Sequence, residues 1–365
     1  MAFNPAFPGL VGRDTPLSGG DMTAFTDFAL QLRYPPNPTR NLDNSLTSIQ
    51  ASGKAVFDAP NTDQVASCND CHTVDPVNGF FGGDGRSTFD AGTEIFKVPH
   101  LRNMYQKVGM FGEAEPEPAN NALIGTVTSF DGPFTHQGDQ IRGYGYTHDG
   151  SVDTLFRFVS ASLFAINNNE QSQVEAFMIA IDSDLAPIVG QQITLTSTNT
   201  GVAGARIDLM LSRCSTDFAS KVLVDLNGGA VNECDLIAKL DQGGSQRGYQ
   251  YDAVNGVFVP DDGGATITDA ALRALAATPG QEITYTAAPP GSGYRMGINR
   301  DLDNLLDAPD NCPGVPNDDQ TDTDNDGLGD VCDPTPLPEP AQIAMLTAGV
   351  IALSRLQRRR SAARG

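Results

Sequence analysis

The residues with the clearest chemistry in this chain are Cys68, Cys71 and His72, which form a C-x-x-C-H motif. Two thiols one helical turn apart can add to the vinyl groups of a porphyrin, and the adjacent imidazole can then bind the iron. This spacing predicts covalent heme attachment through Cys68 and Cys71, with His72 as the proximal ligand. The alternative is a disulfide or redox C-x-x-C pair that only happens to precede a histidine.

Helices are predicted to position this motif. The apolar spacing predicts a short helix capped by Ser18 or Asp21, a second helix from about Ser48, and two more over residues 152–164 and 170–181. Residues 52–57, shortly before the motif, resemble the helix that leads into the heme motif of cytochromes c. The four other cysteines can pair among themselves, which leaves the two motif thiols free.

Two downstream segments resemble the bacterial diheme cytochrome c peroxidase and MauG-like family. Residues 96–103 match its F-K-x-P-x-L-R-N segment, and residues 146–155 match Y-x-H-D-G-x-x-x-T-L. The three motifs stand in the family's order, and the resemblance covers about residues 45–182. It implies a heme domain in which Arg102 lies beside a heme propionate. The alternative for Arg102 is an arginine on a helix surface.

The chain also departs from that family. It has one C-x-x-C-H motif where the diheme enzymes have two, and no methionine follows the H-D-G segment at the expected distance. The distal iron ligand is therefore open: Met110, in a glycine-flanked loop, is the first choice, and the others are Met104, Met178, His136 and His148. Electron transfer through one heme is the leading function. The alternative is the electron-relay half of a diheme peroxidase or MauG-like oxidase, with the second heme upstream; the partner is a redox protein or that upstream domain.

Negative charge is concentrated in one segment. The chain has a formal net charge of −22, and residues 299–333 contain eleven Asp and one Arg. Alternate carboxylates followed by a turn residue are typical of a calcium loop, and the pattern occurs twice. The predicted ligands are Asn299, Asp301, Asp303, Asp307 and Asp310 in the first loop and Asp322, Asp324, Asp326, Asp330 and Asp333 in the second. The alternative is a disordered acidic linker.

Residues 310–333 resemble a thrombospondin type 3 repeat. The resemblance implies calcium bound by these carboxylates and a Cys312–Cys332 disulfide. If this segment carried the main activity, the protein would be a calcium-dependent surface structural or adhesion protein, which is a further alternative.

The end of the chain resembles a PEP-CTERM sorting signal, with Pro338-Glu339-Pro340, an apolar run over residues 341–353 and a group of arginines. The resemblance implies export, membrane association through the tail and processing by an exosortase-type enzyme; a permanent anchor is the alternative. The first residues show no signal peptide. We therefore expect the chain to be the C-terminal part of a longer exported protein.

Composition restricts the partners and the compartment. A chain this acidic is poorly suited to nucleic acid, because phosphates need Lys and Arg. Cys214 and Cys234 are expected to form a disulfide, and such pairs persist in oxidising compartments. The predicted location is periplasmic or at the cell surface.

These observations predict a mainly α cytochrome c-like domain, a small mixed α/β domain, an irregular calcium-binding stalk and a C-terminal hydrophobic helix. The expected domains are an N-terminal loop-rich extension over residues 1–44, the heme domain over 45–185, the mixed domain over 186–298, the stalk over 299–333 and the sorting tail over 334–365.

Overall fold

A computed structural model of the chain describes residues 3–89, 95–106, 120–121, 125–126, 146, 154–161, 163–223 and 228–335. The chain forms two compact units. The first comprises Met1–Pro187 and Ala219–Gly229, and the second comprises Ile188–Phe218 and Ala230–Gly365. The C-x-x-C-H motif lies in the first unit and the acidic segment in the second.

The first unit combines helices with short strand pairs. Its helices are α1 (Ala6–Leu10), α2 (Gly19–Gln31), α3 (Ser48–Phe57), α4 (Cys68–Cys71), α5 (Leu155–Val159) and α6 (Asn168–Ile179). Three antiparallel pairs join β1 (Val74–Asp75) to β2 (Phe80–Phe81), β3 (Ser87–Phe89) to β4 (Ile95–Lys97), and β5 (Asn120–Asn121) to β6 (Gly125–Thr126).

Helices α3 and α6 form the centre of this unit. Gly53 allows the close approach, because a Cβ there would lie 1.8 Å from the Gln173 carbonyl oxygen. Phe57 and Phe177 then meet edge to face, with ring centroids 5.2 Å apart, a favourable aromatic arrangement. This contact closes the apolar core against which the C-x-x-C-H motif packs.

The second unit is built on a six-stranded sheet. Its elements are β7 (Gln192–Leu195), α7 (Thr200–Cys214), β8 (Asp235–Gln242), β9 (Ser245–Asp252), β10 (Val257–Pro260), β11 (Ile267–Thr268), α8 (Asp269–Leu275), β12 (Ile283–Ala288) and α9 (Gly293–Gly297). The strand order is β11-β10-β9-β8-β12-β7, and every neighbouring pair is antiparallel.

Local sequence explains this sheet. Gly243 and Gly244, both with positive φ, make the two-residue turn that joins β8 to β9, and such turns suit the twist of a hairpin. Helix α7 buries Ala203, Ile207 and Met210 on one face. A disulfide from Cys214 to Cys234, with Cα atoms 4.6 Å apart, ties the end of α7 to the residue before β8.

The prediction of a mainly α protein is wrong. The largest ordered element is the six-stranded antiparallel sheet, and the helices of the heme-motif unit are short and mixed with strand pairs. Part of the physical reason is that β8 buries three consecutive residues, Leu236, Ile237 and Ala238, so its sequence does not show the strict alternation that marks a half-exposed strand. The predicted C-terminal hydrophobic helix lies outside the described residues. Within those residues, no helix is long and apolar enough to cross a membrane.

Asp235 provides a pH test of the sheet unit. Its Oδ2 accepts a 2.7 Å hydrogen bond from the Gly293 backbone N–H, yet partial burial raises the pKa of this carboxyl above its ordinary value. The folded state therefore holds a proton at Asp235 that the unfolded state has already lost, and the free energy of unfolding decreases as pH rises through that window. Denaturant unfolding of wild type and D235N at about pH 4 and about pH 7 should show wild type losing stability relative to the variant at the higher pH. An unchanged difference between the two proteins would contradict this.

Candidate functional site

The two motif cysteines are held on a single helical turn. Ser67 caps α4: its Oγ accepts from the Asp70 N–H at 3.1 Å, and the Asp70 carboxylate accepts from the Ser67 N–H at 2.8 Å. Positions three apart on a helix lie on the same face. Cys68 and Cys71 are both unpaired thiols of intermediate exposure, so the helix offers two thiols side by side.

His72 directly follows this turn and is oriented by backbone carbonyls. Its Nδ1 lies 2.9 Å from the Gly82 carbonyl oxygen. Burial lowers the pKa of His72, while the backbone of Gly82 and Pro99 acts in the opposite direction. When Nδ1 carries the proton and donates it to a carbonyl, the lone pair is on Nε2, which is the arrangement of a metal-binding histidine.

Gly82 can place its carbonyl at His72 only because it is glycine. Its φ is +95°, and a Cβ would lie 2.4 Å from Leu101 Cγ and 2.7 Å from the Leu101 nitrogen. The same stretch is held on both sides: the Gly82 N–H donates to the Thr73 carbonyl at 2.8 Å, and the Leu101 N–H donates to the Phe81 carbonyl at 2.7 Å. The acceptor for the imidazole is thus fixed by backbone geometry.

The surroundings of Cys68 are unlike those of a redox dithiol. Cys68 packs against the apolar core of the unit. Burial raises the pKa of its thiol, although the Thr62 hydroxyl, 3.5 Å from Sγ, acts in the opposite direction. Dithiol oxidoreductases need a thiol whose pKa is lowered. This environment therefore argues against the alternative of a redox pair.

Arg102 lies beside the same stretch of chain. Its Nη1 forms an ion pair with Asp184 at 2.5 Å, and its guanidinium lies over the rings of Tyr34 and Phe81, 4.5 and 4.9 Å from their centroids. Among the described residues, Arg102 Nε and Asn103 Oδ1 are buried polar atoms that have no hydrogen-bond partner. An unpaired guanidinium donor at this place fits the carboxylate of a heme propionate, the role predicted for Arg102.

Several residues at this site were missed in the sequence. Asp184 and Tyr34 lie far from the motif in the chain, and only the fold brings them to Arg102; the Tyr34 hydroxyl also pairs with His100 Nε2 at 3.0 Å. The paired glycines after Phe81 were a usable signal, because glycine pairs often mark close backbone approach.

The distal ligand remains open. Met110, His136 and His148 lie outside the described residues. Met104 and Met178 are 5% and 6% exposed and belong to the apolar core, which is the ordinary position for methionine.

Each of the two predicted calcium loops brings three aspartates together. In each loop three aspartates place one carboxylate oxygen each within 4.8 Å of the others. The residues are Asp301, Asp303 and Asp310 in the first loop and Asp322, Asp324 and Asp326 in the second. The backbone is left-handed at the equivalent residues Leu302 and Asn325. The left-handed residue is thus at the same position in both loops, whereas the converging carboxylates are at positions three, five and twelve of the first loop and one, three and five of the second.

The last aspartate of each loop has a buried carboxylate oxygen without a hydrogen-bond partner among the described residues. Asp310 and Asp333, at equivalent positions, are 8% and 9% exposed. In each of them Oδ2 is buried and has no hydrogen-bond partner among the described residues, and the same is true of Asp301 Oδ2. Burying a carboxylate oxygen without a partner is costly, so these atoms fit a bound cation. Desolvation and the neighbouring Asp326, Asp333 and Asp322 also raise the pKa of Asp324.

One predicted ligand in each loop also forms hydrogen bonds within its own loop. The Asp307 carboxylate accepts from the N–H and the guanidinium of Arg300 at 2.7 and 2.9 Å. The Asp330 carboxylate accepts from the N–H and the hydroxyl of Thr323 at 2.8 and 2.6 Å. Each of these aspartates thus closes its own loop. Asn299 also uses its Oδ1 locally, accepting from the Leu302 N–H at 2.6 Å.

A disulfide connects the two loops. Cys312 and Cys332 are bonded, with Cα atoms 5.8 Å apart. Cys312 follows Asp310 by two residues and donates its N–H to Asp310 Oδ1 at 2.8 Å, and Cys332 directly precedes Asp333. The bridge therefore joins the closing ends of both loops.

Comparison with known proteins gives one similarity. The chain is 31% identical over 156 residues to the hydrazine synthase subunit gamma of Kuenenia stuttgartiensis, which covers 40% of this chain and 42% of that protein. The chain thus spans less than half the length of this relative. No family model matches the chain, and no solved structure matches it.

Gly82→Ala should disrupt the support of His72. The substitution places a Cβ in a left-handed residue, which costs roughly 1–2 kcal/mol, and adds overlap with Leu101, typically a further ~1–3 kcal/mol. We expect a loss of about 2 kcal/mol or more in the free energy of unfolding, measured by denaturant titration. Gly79→Ala is the matched control, because Gly79 has φ +84° but its Cβ would meet nothing closer than 3.7 Å. Equal losses in both variants would show that the Leu101 contact is not tight.

Asp310→Asn tests whether the first acidic loop binds a cation or is only negatively charged. Without calcium the variant replaces a buried negative charge, which lies beside Asp301 and Asp303, with a neutral amide, so its melting temperature should exceed that of wild type in chelator. With calcium, wild type should have the higher melting temperature. The reason is that loss of one ligand charge weakens the calcium affinity of that loop by about tenfold or more. Calorimetric titration and thermal unfolding measure both effects.

Asp307→Asn is the control for this test, because Asp307 pairs with Arg300 and does not join the converging oxygens. Its calcium affinity should stay within about twofold of wild type, which is under ~0.5 kcal/mol. Equal weakening in both variants would place Asp307 among the ligands, and no calcium response in wild type would remove the site.

Proposed function

We propose that this chain is an exported c-type cytochrome that carries one covalently attached heme for electron transfer, together with a calcium-binding segment. The observation that carries the proposal is the arrangement at His72. Two unpaired thiols occupy one helical turn, and the next residue is an imidazole whose Nδ1 is bonded to the Gly82 carbonyl.

The residues present fit a heme. Cys68 and Cys71 supply thiols for two thioether bonds, and His72 supplies Nε2 as an axial ligand. The unpartnered Nε of Arg102 can donate to a propionate. Such a heme provides one-electron oxidation and reduction at neutral pH. The apolar core beside Cys68 limits the access of water to that side, which also affects the reduction potential.

Met110 stays our first candidate for the distal ligand. A thioether ligand raises the reduction potential, whereas an open position would permit peroxide chemistry. The choice between electron transfer and an enzyme therefore depends on this ligand.

Calcium is the proposed ion of the two acidic loops. Hard cations prefer several carboxylate oxygens. Each loop has three Asp side chains whose oxygens lie close together. The last aspartate of each loop, Asp310 or Asp333, also has a buried oxygen without a partner among the described residues. The loops are then structural sites that hold the disulfide-linked segment in shape.

Export is the proposed location. Two disulfides, Cys214–Cys234 and Cys312–Cys332, are typical of oxidising compartments, and the PEP-CTERM-like tail supports a periplasmic or cell-surface position with transient membrane association.

A second candidate is an electron-relay unit within a larger enzyme. The similarity to a subunit of hydrazine synthase favours it, as does the resemblance to diheme peroxidases. In that case the redox partner is another subunit or an upstream heme domain.

The test is expression with a cytochrome maturation system and measurement of covalent heme by mass and by the pyridine hemochrome spectrum. Wild type should carry one heme, C68A and C71A should each keep a single thioether, and C68A/C71A should carry none. C214A/C234A is the control, because it removes two cysteines outside the motif, and it should keep its heme.

Two results would overturn the proposal. Covalent heme in C68A/C71A, or its absence from wild type, would remove the attachment site. A high-spin ferric spectrum with peroxide-dependent turnover would favour the enzyme over simple electron transfer.

A further inference from the structure

A largely buried ion pair in the first unit takes no part in the proposed thioether bonds. Arg102 and Asp184 pair through Nη1 and Oδ1, and their side chains are only 19% and 5% exposed. Tyr34 and Phe81 lie against the guanidinium, and Asp184 Oδ2 also accepts from the Tyr34 N–H at 3.2 Å. Salt screens such a pair poorly, and the low local dielectric extends the reach of each charge.

Short connections join this pair to His72. Phe81, which the guanidinium faces, directly precedes Gly82, whose carbonyl is bonded to His72 Nδ1. Leu101, the residue before Arg102, donates to the Phe81 carbonyl at 2.7 Å. The pair therefore stands directly behind the backbone that orients the proposed iron ligand.

We propose that Asp184 sets the reduction potential of the centre at His72 by cancelling the charge of Arg102. The inference rests on the proposed function, in which His72 binds heme iron. Reduction lowers the charge of that centre by one unit. An uncompensated positive charge nearby favours the reduced form and raises the potential, and an uncompensated negative charge lowers it. In the intact pair the two effects oppose each other, so Asp184 is a positioning residue that acts through Arg102.

Single substitutions of the pair should shift the midpoint potential in opposite directions. D184N leaves Arg102 unbalanced and raises the potential. R102Q leaves Asp184 unbalanced and lowers it. If the ion pair had only a structural role, the two variants would not shift the potential in opposite directions, because loss of either side chain would admit water to the same place. D184E keeps both charges and should stay close to wild type.

The double variant and a neighbouring pair complete the design. R102Q/D184N removes both charges and should bring the potential back to a value between those of the two single variants, and it also avoids leaving a single buried charge if either single variant folds poorly. D182N is the matched control. Asp182 pairs with Arg40 at 3.0 Å in the same unit, and Arg40 otherwise bonds to Asn44 and the Ala180 carbonyl. The shift in midpoint potential of D182N should be smaller than that of D184N.

The experiment is an optical redox titration of the full chain in its heme-loaded form, after covalent heme has been quantified for each variant. Wild type without covalent heme refutes the proposed function, and the inference with it. If heme loading is normal, shifts of opposite sign for D184N and R102Q with an intermediate potential in the double variant support the inference. Shifts of the same sign, no shift, or a D182N shift as large as that of D184N would overturn it and leave the proposed function intact.

Discussion

The hydrogen bond between His72 Nδ1 and the Gly82 carbonyl decides which imidazole nitrogen can face a metal. The bond depends on a left-handed glycine that no larger residue can replace, because Leu101 occupies the space of a Cβ. Leu101 in turn belongs to the apolar core that packs against Cys68. The thiols, the imidazole and the core are thus parts of one arrangement, and a change in the core would act on the ligand through the backbone.

The chemistry of the motif could be predicted because it is local. Five consecutive residues contain both thiols and the imidazole, and the start of α3 at Ser48 was also predictable from its spacing and is confirmed. The support of the site could not be predicted in the same way. Asp184 follows Arg102 by 82 positions, and Tyr34 lies in a segment that had been set apart as an extension. Asn37 in that segment is 2% exposed and donates to the Ile179 and Ile181 carbonyls. Long-range polar contacts of this kind leave no periodic trace in a sequence.

The error in fold class has a related cause. Strong motifs in the first half drew the prediction toward a helical cytochrome, whereas the strands of the second half carry no motif. Their order in the sheet places β12 between β7 and β8, so the pairing is non-local. The turn at Gly243 and Gly244 marks one hairpin clearly, but a single hairpin does not predict a six-stranded sheet.

The acidic segment shows what a sequence pattern can and cannot distinguish. The aspartates of each loop look alike in the sequence. In the structure, the ninth residue of each loop accepts a hydrogen bond from the loop's own backbone, whereas the twelfth has an oxygen without a partner among the described residues. The roles differ because Arg300 and Thr323 offer two donors each to the ninth position, whereas the twelfth is covered by the residues beside the disulfide. The first loop is also joined to the sheet unit, since the Ala308 N–H donates to the Asp261 carbonyl and the Asp307 N–H to the Ile298 carbonyl. A cation there would therefore stabilise the loop and the edge of the sheet together, which gives the concentrated negative charge a structural reason.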